Sequence, residues 1–167
     1  MKLSGLQCAW CPPDWIMHDS RCYFMANDTR TWESAKEECK QYEGYLPIVL
    51  TAEDQVVLSK MATEIGKGNN TGVWIGLRYE TMEGSFSWVT GEKLTSNDSF
   101  WQPGKANITT TYDMSRGGQE CVAIVPSKND TEEDWYYNWD NVVCDSEQHV
   151  ICENQDFLSR WNTFNED

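Results

Sequence analysis

Cysteine, asparagine and the shortage of histidine define the chemistry open to this chain. It carries seven cysteines, Cys8, Cys11, Cys22, Cys39, Cys121, Cys144 and Cys152. One close pair stands near the start, one close pair late, and one pair spans almost everything between. Sequons of the form Asn-x-Ser/Thr begin at Asn27, Asn69, Asn97, Asn107 and Asn129, an excess over chance. Cysteines at such spacing together with sequons point to disulfides and N-glycans, and so to an oxidising, extracellular setting. The two histidines are His18 and His149, and His149 sits in an apolar run that reads as a core strand. No Gly-x-Ser-x-Gly, His-Glu-x-x-His or phosphate loop occurs, so the sequence offers no catalytic constellation and no enzyme is expected.

Acidic residues number 27 against 13 basic ones in 167 residues, a net charge of −14. Such a surface repels phosphate backbones, which argues against nucleic-acid partners. No apolar run approaches the roughly 20 residues of a membrane span, Cys121 to Pro126 being about the longest. No signal peptide is visible, so the chain reads as a mature domain or an excised ectodomain. The length suits one domain. Nine tryptophans point to a core with heavy aromatic packing.

The elements that must position these residues follow from periodicity. Trp15 to Met17 and Arg21 to Met25 read as short strands around a turn at Asp19-Ser20. Thr31 to Tyr42 reads as a helix with Trp32, Ala35, Cys39 and Tyr42 on one face and Gly44 as its stop. Tyr45 to Leu50 reads as a short apolar strand. Thr51-Ala52-Glu53-Asp54 is a capping-box start to a second helix. Its stripe is Val57, Leu58, Met61, Ala62 and Ile65, and it ends at Gly66. Val73 to Leu77, Ser85 to Val89, Cys121 to Val125 and His149 to Cys152 then read as strands separated by long polar loops. Helices first and strands after is an α+β plan. Leu94 to Gln119 is too long for a plain connector and reads as a functional loop region.

In this order and spacing the motifs resemble the C-type lectin-like domain. Cys11-Pro12-Pro13-Asp14-Trp15 with Cys22-Tyr23-Phe24 is similar to the family's long-form opening hairpin. Trp74-Ile75-Gly76-Leu77 is similar to its central strand. Trp88-Val89-Thr90-Gly91 and Trp101-Gln102-Pro103-Gly104 resemble the run into its ligand loop. Glu120-Cys121-Val122, Trp139 to Cys144 and Val150-Ile151-Cys152-Glu153 complete the pattern. The opening segment looks closest to type II membrane receptors of that family. The resemblance implies a fold of two helices with two small antiparallel sheets and a long loop region, braced by disulfides. It covers residues 11–153, leaving 1–10 as a lead-in or stalk remnant and 154–167 as a C-terminal tail or linker. It also implies the bridges Cys11–Cys22, Cys39–Cys152 and Cys121–Cys144; six cysteines alone allow fifteen pairings. Cys8 is left over, either as a capped thiol near the terminus or as an interchain disulfide linking a homodimer.

The resemblance also defines a ligand site. Sugar-binding members of the family hold calcium in the long loop through a Glu-Pro-Asn or Gln-Pro-Asp pattern. Here the matching residues are Lys105, Ala106 and Asn107. A lysine opposes a dication. A cis bond before alanine costs about 2.5–4 kcal/mol, and Asn107 heads a sequon. Gln119 stands where the family keeps a glutamate, and Trp139-Asp140-Asn141 exchanges the family's amide and carboxylate. A further calcium site is partial: Glu83 and Glu120 match its acids, with Tyr79 where an aspartate belongs. Glu153 matches a residue of another stabilising site in some members. Calcium wants several anionic oxygens, so no cofactor is expected, with calcium at a degraded site as the alternative. Trp135, Tyr136 and Tyr137 lie in an acidic, aromatic-dense insert and are candidate contact residues. Phe157, Leu158, Trp161 and Phe164 share one helical face in the tail. The chain therefore reads as an extracellular receptor or adhesion module, secreted or part of a membrane protein. Its expected partner is a protein ligand bound without calcium. The alternative is a cell-surface glycan, bound through an altered calcium site or a calcium-free one.

Overall fold

The computed structural model describes residues 11–66, 71–80, 82–104, 120–125 and 135–154. Its first strands are β1 (Ile16–His18) and β2 (Arg21–Arg30). Asp19 (φ 45°) and Ser20 (φ 65°) join them, the left-handed pair a tight hairpin turn demands. Helix α1 (Trp32–Gln41) starts at Thr31, whose hydroxyl accepts from the Ser34 backbone N–H. Helix α2 (Ala52–Ile65) starts at the expected capping box, in which Thr51 and Asp54 satisfy each other's backbone. The remaining strands are β3 (Val73–Glu80), β4 (Ser85–Trp88), β5 (Glu120–Ile124), β6 (Trp139–Val143) and β7 (Gln148–Asn154).

The strands form two antiparallel groups. One is β1-β2-β7, with Cys22 opposite Asn154 and Arg30 opposite Gln148. The other places β3 between β4 and β5, with β6 on the outer side of β5. A single parallel pairing, Val73 with His149, joins them. Successive residues alternate faces, as a pleat requires. Val73, Ile75, Leu77, Val122, Ile124 and Ile151 pack with Leu58, Met61 and Ala62 of α2. Trp74, Cys121, Ala123, Val150 and Cys152 pack with Trp32, Ala35 and Cys39 of α1. The strands are covered on both faces, which is why they read as continuous apolar runs. All three bridges implied by the resemblance are formed: Cys11–Cys22, Cys39–Cys152 and Cys121–Cys144.

Three local expectations need correction. Tyr45 to Leu50 is not a strand; only Tyr45 pairs, exchanging backbone hydrogen bonds with Glu153 at 3.0 and 2.8 Å. Leu46, Ile48 and Val49 are buried without a ladder because side chains satisfy the backbone. Ile48 N–H donates to Glu153 and Leu50 N–H to Asp54, each at 3.0 Å. Tyr42 is the C-cap of α1 and is 39% exposed, its ring 4.9 Å from that of Phe24. The left-handed residue after α1 is Glu43 (φ 59°), not Gly44. Gly44 is needed for closeness: a Cβ there would lie 2.5 Å from the Glu153 carbonyl oxygen.

Candidate functional site

Trp139 organises the site. Its side chain is fully buried, edge-on to Trp88, Phe100 and Trp101 at centroid distances of 5.8, 5.6 and 5.4 Å. Its backbone N–H donates to the Phe100 carbonyl at 2.9 Å and its carbonyl accepts from Gln102 at 3.0 Å. The entry to the long loop is thereby laid along the start of β6.

A buried polar clamp on α2 fixes this strand from below. Gln55 accepts from the Trp139 indole N–H at 2.7 Å and donates to the Asn138 side chain at 2.6 Å. Asn138 donates to the Ser59 hydroxyl at 2.7 Å. Ser59 and Gln55 both donate to the Trp135 carbonyl, at 2.8 and 3.0 Å. Sequence reasoning missed this clamp: Gln55 and Ser59 are polar residues beside an apolar helical stripe, and the periodicity assigned only the stripe to the core. Their spacing of four residues places them on one helix face, the one signal that was available.

Above the clamp lie the predicted ligand residues. Asp140 and Asn141 are half-buried on β6, opposite Ala123 and Val122 of β5. The Asn141 amide donates to the carboxylate of Glu120. Of the three insert aromatics, Tyr137 is 58% exposed, with its ring 6.5 Å from Phe100. Trp135 and Tyr136 are half-buried, and the Lys60 ammonium stands 4.9 Å from the Trp135 ring centroid. Lys105, Ala106, Asn107 and Gln119 lie outside the described residues, as do Cys8, Asn69, Asn129 and the 157–164 face.

The remaining acidic positions fall elsewhere. Glu83 faces Lys93 at 3.9 Å. It lines an open cleft of about 440 Å³ with Trp32, Lys36, Arg78 and Trp88. Tyr79 packs edge-on against Phe86, with ring centroids 5.2 Å apart. Glu153 is fully buried; it accepts from Arg21 at 3.2 Å and from Ile48 N–H at 3.0 Å. Among the described residues, one group of three metal-capable side chains lies close together: His18, Asp19 and Glu53, with ligand atoms within 4.8 Å of one another. Glu83, Glu120 and Asp140 do not gather in this way. His149 is buried in β7, and burial pushes its imidazole below the usual pKa.

Comparison with known proteins agrees with this architecture. The human C-type lectin domain family 4 member E is 29% identical over 86% of this chain and 58% of its own length. The human low affinity immunoglobulin epsilon Fc receptor is 30% identical over 85% of this chain and 37% of its own length. The chain therefore spans well under two thirds of these relatives. The C-type carbohydrate-recognition domain of cow CD23, solved in the presence of a GlcNAc2Man3 oligosaccharide, superposes with a TM-score of 0.64. It is 28% identical, covering 87% of this chain and 95% of that one. A calcium-independent type II antifreeze protein, at 23% identity and a TM-score of 0.64, covers 87% of this chain and 94% of its own and shares the fold. The family model described as the lectin C-type domain matches residues 28–154, about three quarters of the chain. The chain therefore belongs to the C-type lectin domain family.

Proposed function

We propose that this domain is an extracellular recognition module that binds a protein ligand without calcium, through the face carrying Tyr137, Asp140 and Asn141. One observation carries the reading: the Glu120 carboxylate is engaged by the Asn141 amide. An amide donor thus stands against an anionic oxygen that a calcium shell would need. Lys105, Ala106 and Gln119 support it from the sequence, since a lysine charge opposes a dication and alanine disfavours the cis bond. Tyr137 offers an exposed aromatic anchor of the kind that concentrates binding energy in protein interfaces. The immunoglobulin epsilon Fc receptor, by its name, binds a protein.

Calorimetry on the domain is expected to give no calcium binding at this loop below about millimolar concentration, and ligand binding is expected to survive chelator. Lys105→Glu with Ala106→Pro and Gln119→Glu should raise calcium affinity. Tight calcium binding in the unmodified domain, lost on Asp140→Ala, would overturn the reading. The second reading, a glycan ligand, is favoured by the oligosaccharide present with the cow CD23 domain. A glycan array read with calcium and again with chelator separates the two. Cys8 belongs to the same proposal as an interchain bridge. The native protein is expected to run partly as a disulfide dimer on a non-reducing gel, and Cys8→Ser to abolish the dimer without unfolding the domain. A monomer with a free Cys8 thiol would count against it.

A further inference from the structure

We propose that Asn97 carries an N-linked glycan that screens the recognition face by size, admitting a narrow protein loop and excluding a broad protein surface. The inference rests on the assignment of that face to the surroundings of Tyr137. Asn97-Asp98-Ser99 is a sequon, and Asn97 is exposed on a 3-10 turn, Ser96–Asp98.

The turn is held at both ends. Upstream, the Leu94 N–H donates to the Phe86 carbonyl at 2.9 Å, and Lys93 is bridged to Ser87. Within the turn, the Thr95 hydroxyl donates to the Asp98 carboxylate at 2.8 Å. Downstream, the Phe100 carbonyl accepts from Trp139 at 2.9 Å. Asn97 and Phe100 are three positions apart in sequence, so their Cα atoms lie at most about 11 Å apart. The Phe100 ring is in turn 6.5 Å from Tyr137. An N-glycan is a bulky, solvated branch, and one rooted here stands at the rim of the face. Asn27, the other sequon among the described residues, is also exposed. It lies on β2, in the other group of strands, and serves as the internal control.

The test uses the full chain secreted from mammalian cells. Enzymatic glycan release in heavy-oxygen water, followed by peptide mapping, is expected to label Asn97 as a former glycan site. Tyr137 is then labelled with a small aryl diazonium salt and, separately, with the same group carried on dextran. The small reagent should modify Tyr137 equally in the native protein, Asn97→Gln and Asn27→Gln. The dextran-borne reagent should modify it at least about threefold faster in Asn97→Gln and in enzymatically deglycosylated protein, with Asn27→Gln unchanged. An unmodified Asn97, or equal dextran labelling with and without the glycan, would overturn the proposal. So would a change with the small reagent, which would signal local rearrangement rather than screening. No step uses a ligand or calcium, so the calcium-independent reading can fail without touching this one.

Discussion

Arg21→Met is expected to cost about 3–5 kcal/mol of folding stability, the range for breaking a buried ion pair from one side. The Arg21 guanidinium bridges Asp54 and Glu153, which are 1% and 0% exposed. The second oxygen of each carboxylate is already committed. Asp54 takes the Leu50 and Thr51 N–H groups at 3.0 and 3.1 Å, and Glu153 takes Ile48 N–H at 3.0 Å. Removing the cation leaves two buried carboxylates, with His18 Nε2 3.6 Å from that of Asp54. Tyr23, beside them, is already held above its usual phenol pKa, by burial first and by the Glu153 charge second. Chemical denaturation measures the loss. Adding Glu153→Gln to Arg21→Met should cost less than the sum of the single changes, because the orphaned charge is then removed. A loss below about 1 kcal/mol for Arg21→Met would show the network to be dispensable.

The second large effect is expected from the pair Cys39→Ala and Cys152→Ala together. The two cysteines are fully buried and 113 residues apart in sequence. On the chain-entropy account such a bridge is worth about 5 kcal/mol, against about 3 for a loop of eleven residues. The Cys11–Cys22 bridge, with a separation of 11, is therefore the comparison. Denaturant midpoints should fall further for the Cys39/Cys152 double variant than for the Cys11/Cys22 one. The reverse order would contradict the entropic account. Five kcal/mol is comparable to the whole stability of many small domains, so partial unfolding at body temperature is also expected.

What the sequence disclosed and what it hid divide along physical lines. Strands buried on both faces showed as Val73 to Leu77 and Cys121 to Val125, because burial there leaves only apolar residues. Helix starts showed through Thr31 and the Thr51–Asp54 box, where the capping chemistry is local. Strand β6 did not show, because Asp140 and Asn141 break its apolar pattern and its pairing with β5 crosses a long insertion. Tyr45 to Leu50 misled for the opposite reason: its residues are apolar, yet distant carboxylates bind its backbone. Resemblance supplied the three disulfides, which spacing left as fifteen pairings. Buried polar partnerships were hidden throughout. Gln55 with Asn138 and Arg21 with Glu153 join residues 83 and 132 positions apart, and no local rule marks them.

The placement of the cystines has a mechanical consequence. Tension applied between residue 11 and residue 154 enters at Cys11 and crosses its bridge directly to Cys22. It follows the backbone through β2 and α1 to Cys39, then crosses to Cys152. Everything between Cys39 and Cys152 hangs off this route as an unloaded side loop, including α2, β3 to β6, the Gln55 clamp and the face around Tyr137. A pull on the ends can stretch only the short stretch from Cys22 to Cys39 while the bridges last, and the loop closed by Cys39 and Cys152 is spared the strain. Reduction of the Cys39–Cys152 bond reroutes the same force through that loop, Tyr137 included, so the domain's resistance to load becomes a property of its redox state.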